Sequence, residues 1–378
     1  MHAIVEDLSY FLTKVVKTVL DVGKSEGKDP VIKMKIKKDR LILECSTPSR
    51  GIRASMPVQA KEEGIAYLMA SSLSSIKSSY KRAVIQSRGE KVTIASKGKG
   101  RKFSIALNAV DRDKYNSFLD INIKRIPKSK LRLSITALQD AIGYIGINPV
   151  IIPGDEQSLI SISTTKKITR VLIRDSYRLA SLHIPASTLK VDKELTTDFK
   201  ELTNILNILS SISGYASIGY DDKLISATGS NEDYHLQLLM NHILPNIDIR
   251  NSTESTFNLQ MKKKAIFTFE PGKDFKEAME NALAVGSHSG YVIIDINSND
   301  IIITGSVPAS SYKESVSLNT EAIGEGKVKL GSPMLIDVLK LVSDTPSIRV
   351  TDSACIIKSS VDHTISHFIL PILVVYDA

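Results

Sequence analysis

The chain has 378 residues, 42% hydrophobic and 24% charged, with 49 Lys+Arg against 41 Asp+Glu, two Cys and no Trp. At about 100–200 residues per domain this length predicts two or three domains, and the composition is that of a globular protein, richer in Ile, Leu and Val than a disordered chain. No apolar run approaches the roughly 18–20 residues of a membrane span, and the N-terminal MHAIVEDLSYFLTK lacks the basic-then-apolar layout of a secretion signal, so a cytoplasmic location is expected.

In chain order, residues 5–22 predict a helix with Leu8, Phe11, Leu12, Val15 and Val19 on one face and Lys14 and Lys17 on the opposite one. The alternating run VIKMKIKKDRLILECS predicts strands, and a second helix follows on Met69, Ser72, Leu73 and Ile76. Next come three strands in YKRAVIQSRGEKVTIASKGKGRKFSIAL, separated by RGE and KGKG turns. Within it Ser96–Arg101 reads as a flexible basic hairpin turn. The stretch IPKS, near Ile126–Ser129, is a polar, turn-like boundary.

The pattern then repeats. Residues 134–146 are a short helix, SLISISTTKKITRVLIRD gives strands, and Leu202, Ile205, Leu206 and Leu209 mark a helix. Three strands follow in YASIGYDDKLISATGSNEDYHLQLLM. A second polar boundary is read near Asn251–Thr256. After it come a helix at 273–286, strands in GYVIIDINSNDIIITGS, a helix on Leu335, Val338, Leu339 and Val342, and the strands of SIRVTDSACIIKSSVDHTISHFILPI. Successive second helices are offset by about 133 positions, twice over. A unit this long buries its own core, so it is a domain and not a solenoid repeat. Three α+β domains are expected, over residues 1–127, 128–254 and 255–378.

Charge is unevenly shared among them. Residues 1–125 hold 25 basic and 13 acidic side chains, residues 126–250 balance, and residues 251–378 hold 11 against 15. A basic first domain suits nucleic acid, whose phosphates dominate affinity. Cys45 and Cys355 lie far apart in alternating stretches and read as buried free thiols. Gly23-Lys24-Ser25 mimics the end of a phosphate-binding loop, but the upstream Gly position is Thr18 and a helix precedes it where a strand is required. Gly286–Gly290 has the spacing of a nucleophile elbow with His288 in the nucleophile's place. The seven His show no metal-ligand spacing. No catalytic residue, metal site or cofactor is therefore expected, and no enzyme.

Asp175-Ser176-Tyr177-Arg178-Leu179-Ala180, and Thr351-Asp352-Ser353 followed by His367-Phe368-Ile369-Leu370-Pro371-Ile372, are similar to the middle-domain and C-terminal motifs of the bacterial β-type DNA sliding clamps, the processivity factors of replicative DNA polymerase. Weaker echoes are Arg101–Ile105 and Leu244-Pro245-Asn246, so the resemblance spans the whole chain. The departures are Ser176-Tyr177 for Gly-His, Leu370 and Ile372 for two Met, and a tail from Leu373 to Ala378. Divergence of this degree, with a basic net charge, is what a bacteriophage-encoded or otherwise remote member would carry.

The resemblance implies three tandem clamp domains, each with two helices on an inner face and antiparallel sheets outside. Two chains would close head to tail into a six-domain homodimer ring around double-stranded DNA, without reading its sequence. It implies a DNA polymerase and a clamp-loader ATPase as partners, and no membrane. DNA contact would fall to Lys14, Lys17, Lys24, Lys28, Lys77, Lys81 and Arg82. A pocket for a partner peptide would use Arg174, Ser176, Tyr177, Arg178, Leu179, Pro245, Ala354, Ile356, Phe368, Ile369, Leu370, Pro371 and Ile372. The alternative is a clamp-fold accessory protein that binds DNA or polymerase without closing a ring.

Overall fold

The computed structural model describes the chain except for residues 25–28, 77–80, 99–100, 126, 128–130, 135–138, 140–157, 176–177, 211–214, 243–246, 287–289, 298, 308–309, 332–334, 336–337, 339–340, 344, 362–363 and 377–378. Its packing forms two compact units, residues 1–136 with 204–243, and residues 137–203 with 244–378. All the named strand pairs are antiparallel, which leaves one sheet face free to pack and the other free to be solvated.

In the first unit, five strands run in the order Gln59–Glu62, His2–Val5, Ala83–Arg88, Lys91–Gly98 and Arg101–Asn108. Eight more run in the order Leu131–Ser134, Tyr215–Tyr220, Leu224–Ser230, His235–Asn241, Arg50–Pro57, Arg40–Ser46, Val31–Lys37 and Gly64–Met69. His235–Asn241 pairs with Arg50–Pro57, so one sheet continues across two of the repeats. The expected first helix runs from Leu8 to Lys24, with a π segment at Phe11–Val16. Asp7 caps its start by accepting a hydrogen bond from the Tyr10 amide at 2.8 Å. Its apolar stripe is buried in full, and the π segment brings Val16 in as well.

The three-strand sequences close each repeat as anticipated: Ala83–Arg88 to Arg101–Asn108, Tyr215–Tyr220 to His235–Asn241, and Ser347–Val350 to Thr364–Tyr376. Gly89 takes φ +54° in the first of these hairpins, the left-handed conformation its RGE turn requires. Of the helix read at 134–146, Ser134 is in a strand, Gln139 is helical and the rest lies outside the described residues.

In the second unit, strands run in the order Leu195–Thr197, Leu159–Thr165, Ile168–Arg174, Leu179–Pro185, Thr364–Tyr376, Gly326–Gly331, Tyr291–Ile296, Asp300–Val307 and Ser310–Ser317. Thr364–Tyr376 also pairs with Ala354–Val361, which leads on through Ser347–Val350 to Phe267–Phe269. The tail beyond the C-terminal motif is part of this sheet, with Ile372–Tyr376 pairing with Lys327–Leu330. The helix Phe275–Gly286 sits on Asp300–Val307 at Gly305, where a Cβ would run into the Ala282 carbonyl oxygen.

One expectation is overturned. The polar stretch Asn251–Thr256, read as a turn-like boundary, lies inside a 16-residue helix, Ile247–Lys262. Among its described side chains, polar anchors and a few buried residues hold this helix in place of an apolar stripe. Phe257 is 6% exposed and Thr253 is fully buried, while Leu259 is 58% exposed.

Candidate peptide cleft and basic helix face

On the first helical run Lys14 and Lys17 are exposed, opposite the buried stripe. Lys81 and Arg82 are also exposed, and the Lys81 carbonyl accepts from the Leu8 amide at 2.6 Å, which sets them at the helix's N-terminal end. Arg82 lies 3.2 Å from Glu6, both side chains more than half exposed. A pair so exposed contributes at most about 1 kcal/mol and exchanges readily for another anion. Lys28 and Lys77 lie outside the described residues, as does the side chain of Lys24.

The second unit holds a cleft of about 200 Å³ lined by Arg174, Asp175, Arg178, Leu179, Thr256, Gln260, Ser353, Ala354, Ile369, Leu370 and Pro371. Register explains the grouping. Arg174 pairs with Leu179, Leu179 with Ile369, and Ile369 with Ile356, a row across four strands that shares one sheet face. Leu172, Leu179, Ala354, Ile356 and Ile369 form a core cluster there with Phe257 of the Ile247–Lys262 helix. The cleft opens at the margin of that cluster.

Two local hydrogen-bonded pairings shape its rim, and both belong to the motifs that carried the family resemblance. In the first, Arg178 N–H donates to Asp175 Oδ1 at 2.7 Å and Arg178 Nε to Asp175 Oδ2 at 2.8 Å, with both side chains 2% exposed. In the second, Thr351 Oγ1 accepts from the Ala354 amide at 3.1 Å, and Asp352 receives a hydrogen bond from Lys263 Nζ at 2.8 Å. That bond holds the Asp352 carboxyl below the usual carboxylate range.

Arginines fasten the Ile247–Lys262 helix to the sheet. Arg170 Nη1 donates to Glu254 at 2.8 Å, and its guanidinium lies 4.7 Å from the centre of the Phe257 ring. Arg174 Nη1 donates to Ser252 Oγ at 2.9 Å and Thr253 Oγ1 at 3.3 Å. At the other end Arg349 Nη2 donates to the carbonyls of Gln260, Met261 and Lys263, which a helix terminus leaves without intrahelical partners. Beneath the helix the His183 and His367 rings stand 5.9 Å apart, and His367 meets Phe257 edge-on. Burial, then the neighbouring His183, Lys358, Arg170 and Arg349, lower His367 to about 4. Burial and Arg170 lower His183.

Of the thirteen pocket residues expected from the sequence, Arg174, Arg178, Leu179, Ala354, Ile369, Leu370 and Pro371 line this cleft. Ile356 and Phe368 are core residues, 3% and 1% exposed, and with Ile372 they do not line it. Ser176, Tyr177 and Pro245 lie outside the described residues. Asp175, Ser353, Thr256 and Gln260 were not anticipated. The first two stand inside the motifs already noted. Thr256 and Gln260 carry an i, i+4 signal that polar composition hid. Cys45 and Cys355 are free and buried, and burial pushes both thiols up to about 12. No group of metal ligands occurs among the described residues, and no described helix is long and apolar enough to cross a membrane.

No protein-family model and no curated protein matches the chain. Solved structures do. The DNA polymerase III beta subunit from Thermotoga maritima superposes with a TM-score of 0.75 at 13% identity, over 99% of both chains. A putative DNA polymerase III beta subunit from Eubacterium rectale gives 0.77 at 15%, again over 99% of both. The Helicobacter pylori beta clamp bound to a DNA ligase peptide gives 0.71 at 18%, over 99% of this chain and 100% of that one. From end to end, the chain is built on the fold of the bacterial DNA polymerase III β subunits, the sliding clamps.

Proposed function

We propose that the protein is a DNA sliding clamp that encircles duplex DNA and tethers a replicative DNA polymerase to its template. The observation that carries this reading is the fold likeness over 99% of the chain, which includes every repeat. In this reading the three repeats are three clamp domains, and two chains close head to tail into a six-domain ring. The ring holds by topology and needs no base contact. Exchangeable phosphate contacts from Lys14, Lys17, Lys81 and Arg82, with Lys24, Lys28 and Lys77, allow it to slide. A clamp-loader ATPase opens it, and the protein itself catalyses nothing.

Two features support ring closure. Among the described residues Arg101–Asn108 and Ser310–Ser317 are terminal strands of their sheets, the kind of edge to which another chain can add a strand. The basic first third would meet the acidic last third. The cleft at Leu179, Ile369 and Leu370 would hold partner peptides, as the H. pylori clamp holds one from DNA ligase.

Sedimentation equilibrium at micromolar concentration is the first test. A mass of twice 41.5 kDa is expected, together with retention on circular duplex DNA and release on linearisation. A strict monomer that never becomes topologically linked to a circle would favour the accessory protein that does not close.

A further inference from the structure

We propose that Arg174 makes the cleft selective for a peptide carrying a carboxylate within about three residues of its aliphatic anchor. This rests on the peptide-cleft reading above and adds the chemical class of the peptide.

The basis is a cation without a carboxylate partner among the described residues. Arg170 is paired with Glu254 at 2.8 Å, and Arg178 with Asp175 at 2.8 Å. Arg174 meets no carboxylate among the described residues. Its partners are the hydroxyls of Ser252 and Thr253, which orient a guanidinium without cancelling its charge. Both bonds leave from Nη1, so Nη2 and Nε keep their N–H groups for a planar, two-oxygen acceptor. The guanidinium is partly buried, where an ion pair is stronger than at an open surface.

Geometry sets the spacing. Arg174 pairs with Leu179 and Leu179 with Ile369, two strand steps in all. At about 4.8 Å per step the distance is roughly 10 Å, or about three residues of extended peptide. The apolar floor of Leu179, Ala354, Ile369 and Leu370 takes the anchor, and the cation at one end takes the acid. The acid can be an Asp or Glu side chain, or a C-terminal carboxylate.

The test uses the full chain and fluorescein-labelled nonapeptides, each with a Leu-Leu pair in a Gly/Ser background. One set has an amidated C-terminus and a single Asp placed one, two or three residues before or after the pair. Matched sets carry Asn or Lys there. A further peptide carries Asn and a free C-terminal carboxylate within reach of the pair. Fluorescence polarisation at 50 mM salt should find at least one carboxylate peptide bound about tenfold tighter than its neutral match. The amidated and free-acid arms identify which carboxylate serves. In Arg174→Glu the preference should invert toward the Lys peptide, which mere loosening of the helix would not produce. Gln260→Trp, which fills the cleft from its helix wall, should abolish binding of every peptide. Equal binding of all acidic and neutral peptides, still blocked by Gln260→Trp, would overturn the Arg174 assignment and leave the cleft standing. No binding of any peptide to the unmodified chain, or binding that Gln260→Trp leaves untouched, would overturn the cleft reading and this inference with it.

Discussion

Acidification should loosen the helix Ile247–Lys262 before it unfolds the rest of the second unit. The cause is the His183–His367 pair beneath it. Arg170 from one flanking strand, Lys358 and Arg349 from others, and Glu254, paired with Arg170, from the helix complete the charged surroundings. Both histidines titrate lower in the fold than their ordinary value of 6.5, and His367 is lowered to about 4. Between those pH values the unfolded chain binds more protons than the native one, so stability rises with pH. The contribution is present in full above about 6.5 and lost as pH falls, completely by about 4. Undiscounted, His367 would contribute about 3 kcal/mol, at 1.36 kcal/mol per pKa unit. Its site is only partly buried and screened by solvent, so ~1.5 kcal/mol overall is realistic, of which roughly half is lost by pH 5.5. The assay is hydrogen exchange of the 247–262 amides at pH 7.5 and 5.5, corrected for intrinsic exchange rates. Protection should fall by about threefold in the unmodified protein. It should change little in His367→Phe, which keeps a ring against Phe257. Parallel losses in the two proteins would refute the reasoning.

Phe257→Ala removes the helix's main apolar anchor and the ring beneath Arg170, so it should destabilise the second unit by about 3 kcal/mol in urea unfolding. Arg349→Met leaves three carbonyls without their donor and should speed amide exchange around residues 260–263, with little effect at 247–253. Gly305→Ala forces a Cβ into the Ala282 carbonyl and should cost about 2–3 kcal/mol, read as a lowered denaturation midpoint. Reversing Lys14, Lys17, Lys81 and Arg82 to Glu should weaken duplex DNA binding and flatten its salt dependence by about 0.9 per lost phosphate contact, with sedimentation mass unchanged. An unaltered salt slope would remove that face from the DNA path.

The sequence was most legible where burial and periodicity coincide. The stripe Leu8, Phe11, Leu12, Val15 and Val19 is buried as its spacing requires. The strand triplets follow from alternation and from turn residues such as Gly89. Seven cleft residues were named through the family resemblance that two short motifs carry, and the hydrogen bonds within those motifs are local. Arg178 reaches back three residues to Asp175, and Thr351 bonds the amide three residues on. Continuity between repeats was not legible. Nothing local in His235–Asn241 or Arg50–Pro57 says that they pair, since partner choice is set by neighbours distant in sequence.

The helix Ile247–Lys262 marks the other limit of such reading, for a physical reason. Periodicity detects a helix that buries a stripe, and of the described side chains of this one Phe257 and Thr253 are the buried ones. Its order comes instead from Arg170, Arg174 and Arg349, which stand on strands 70 or more residues away and act through side-chain and carbonyl bonds. Each of those arginines looks like a solvated surface charge when read along its own strand. Only pairing in space separates them. Arg170 is paired with Glu254, Arg349 caps carbonyls, and Arg174, at the edge of the cleft, meets only hydroxyls among the described residues. The segment that composition presents as a linker therefore supplies one wall of the cleft, through Thr256 and Gln260, and holds in place the cation at its edge.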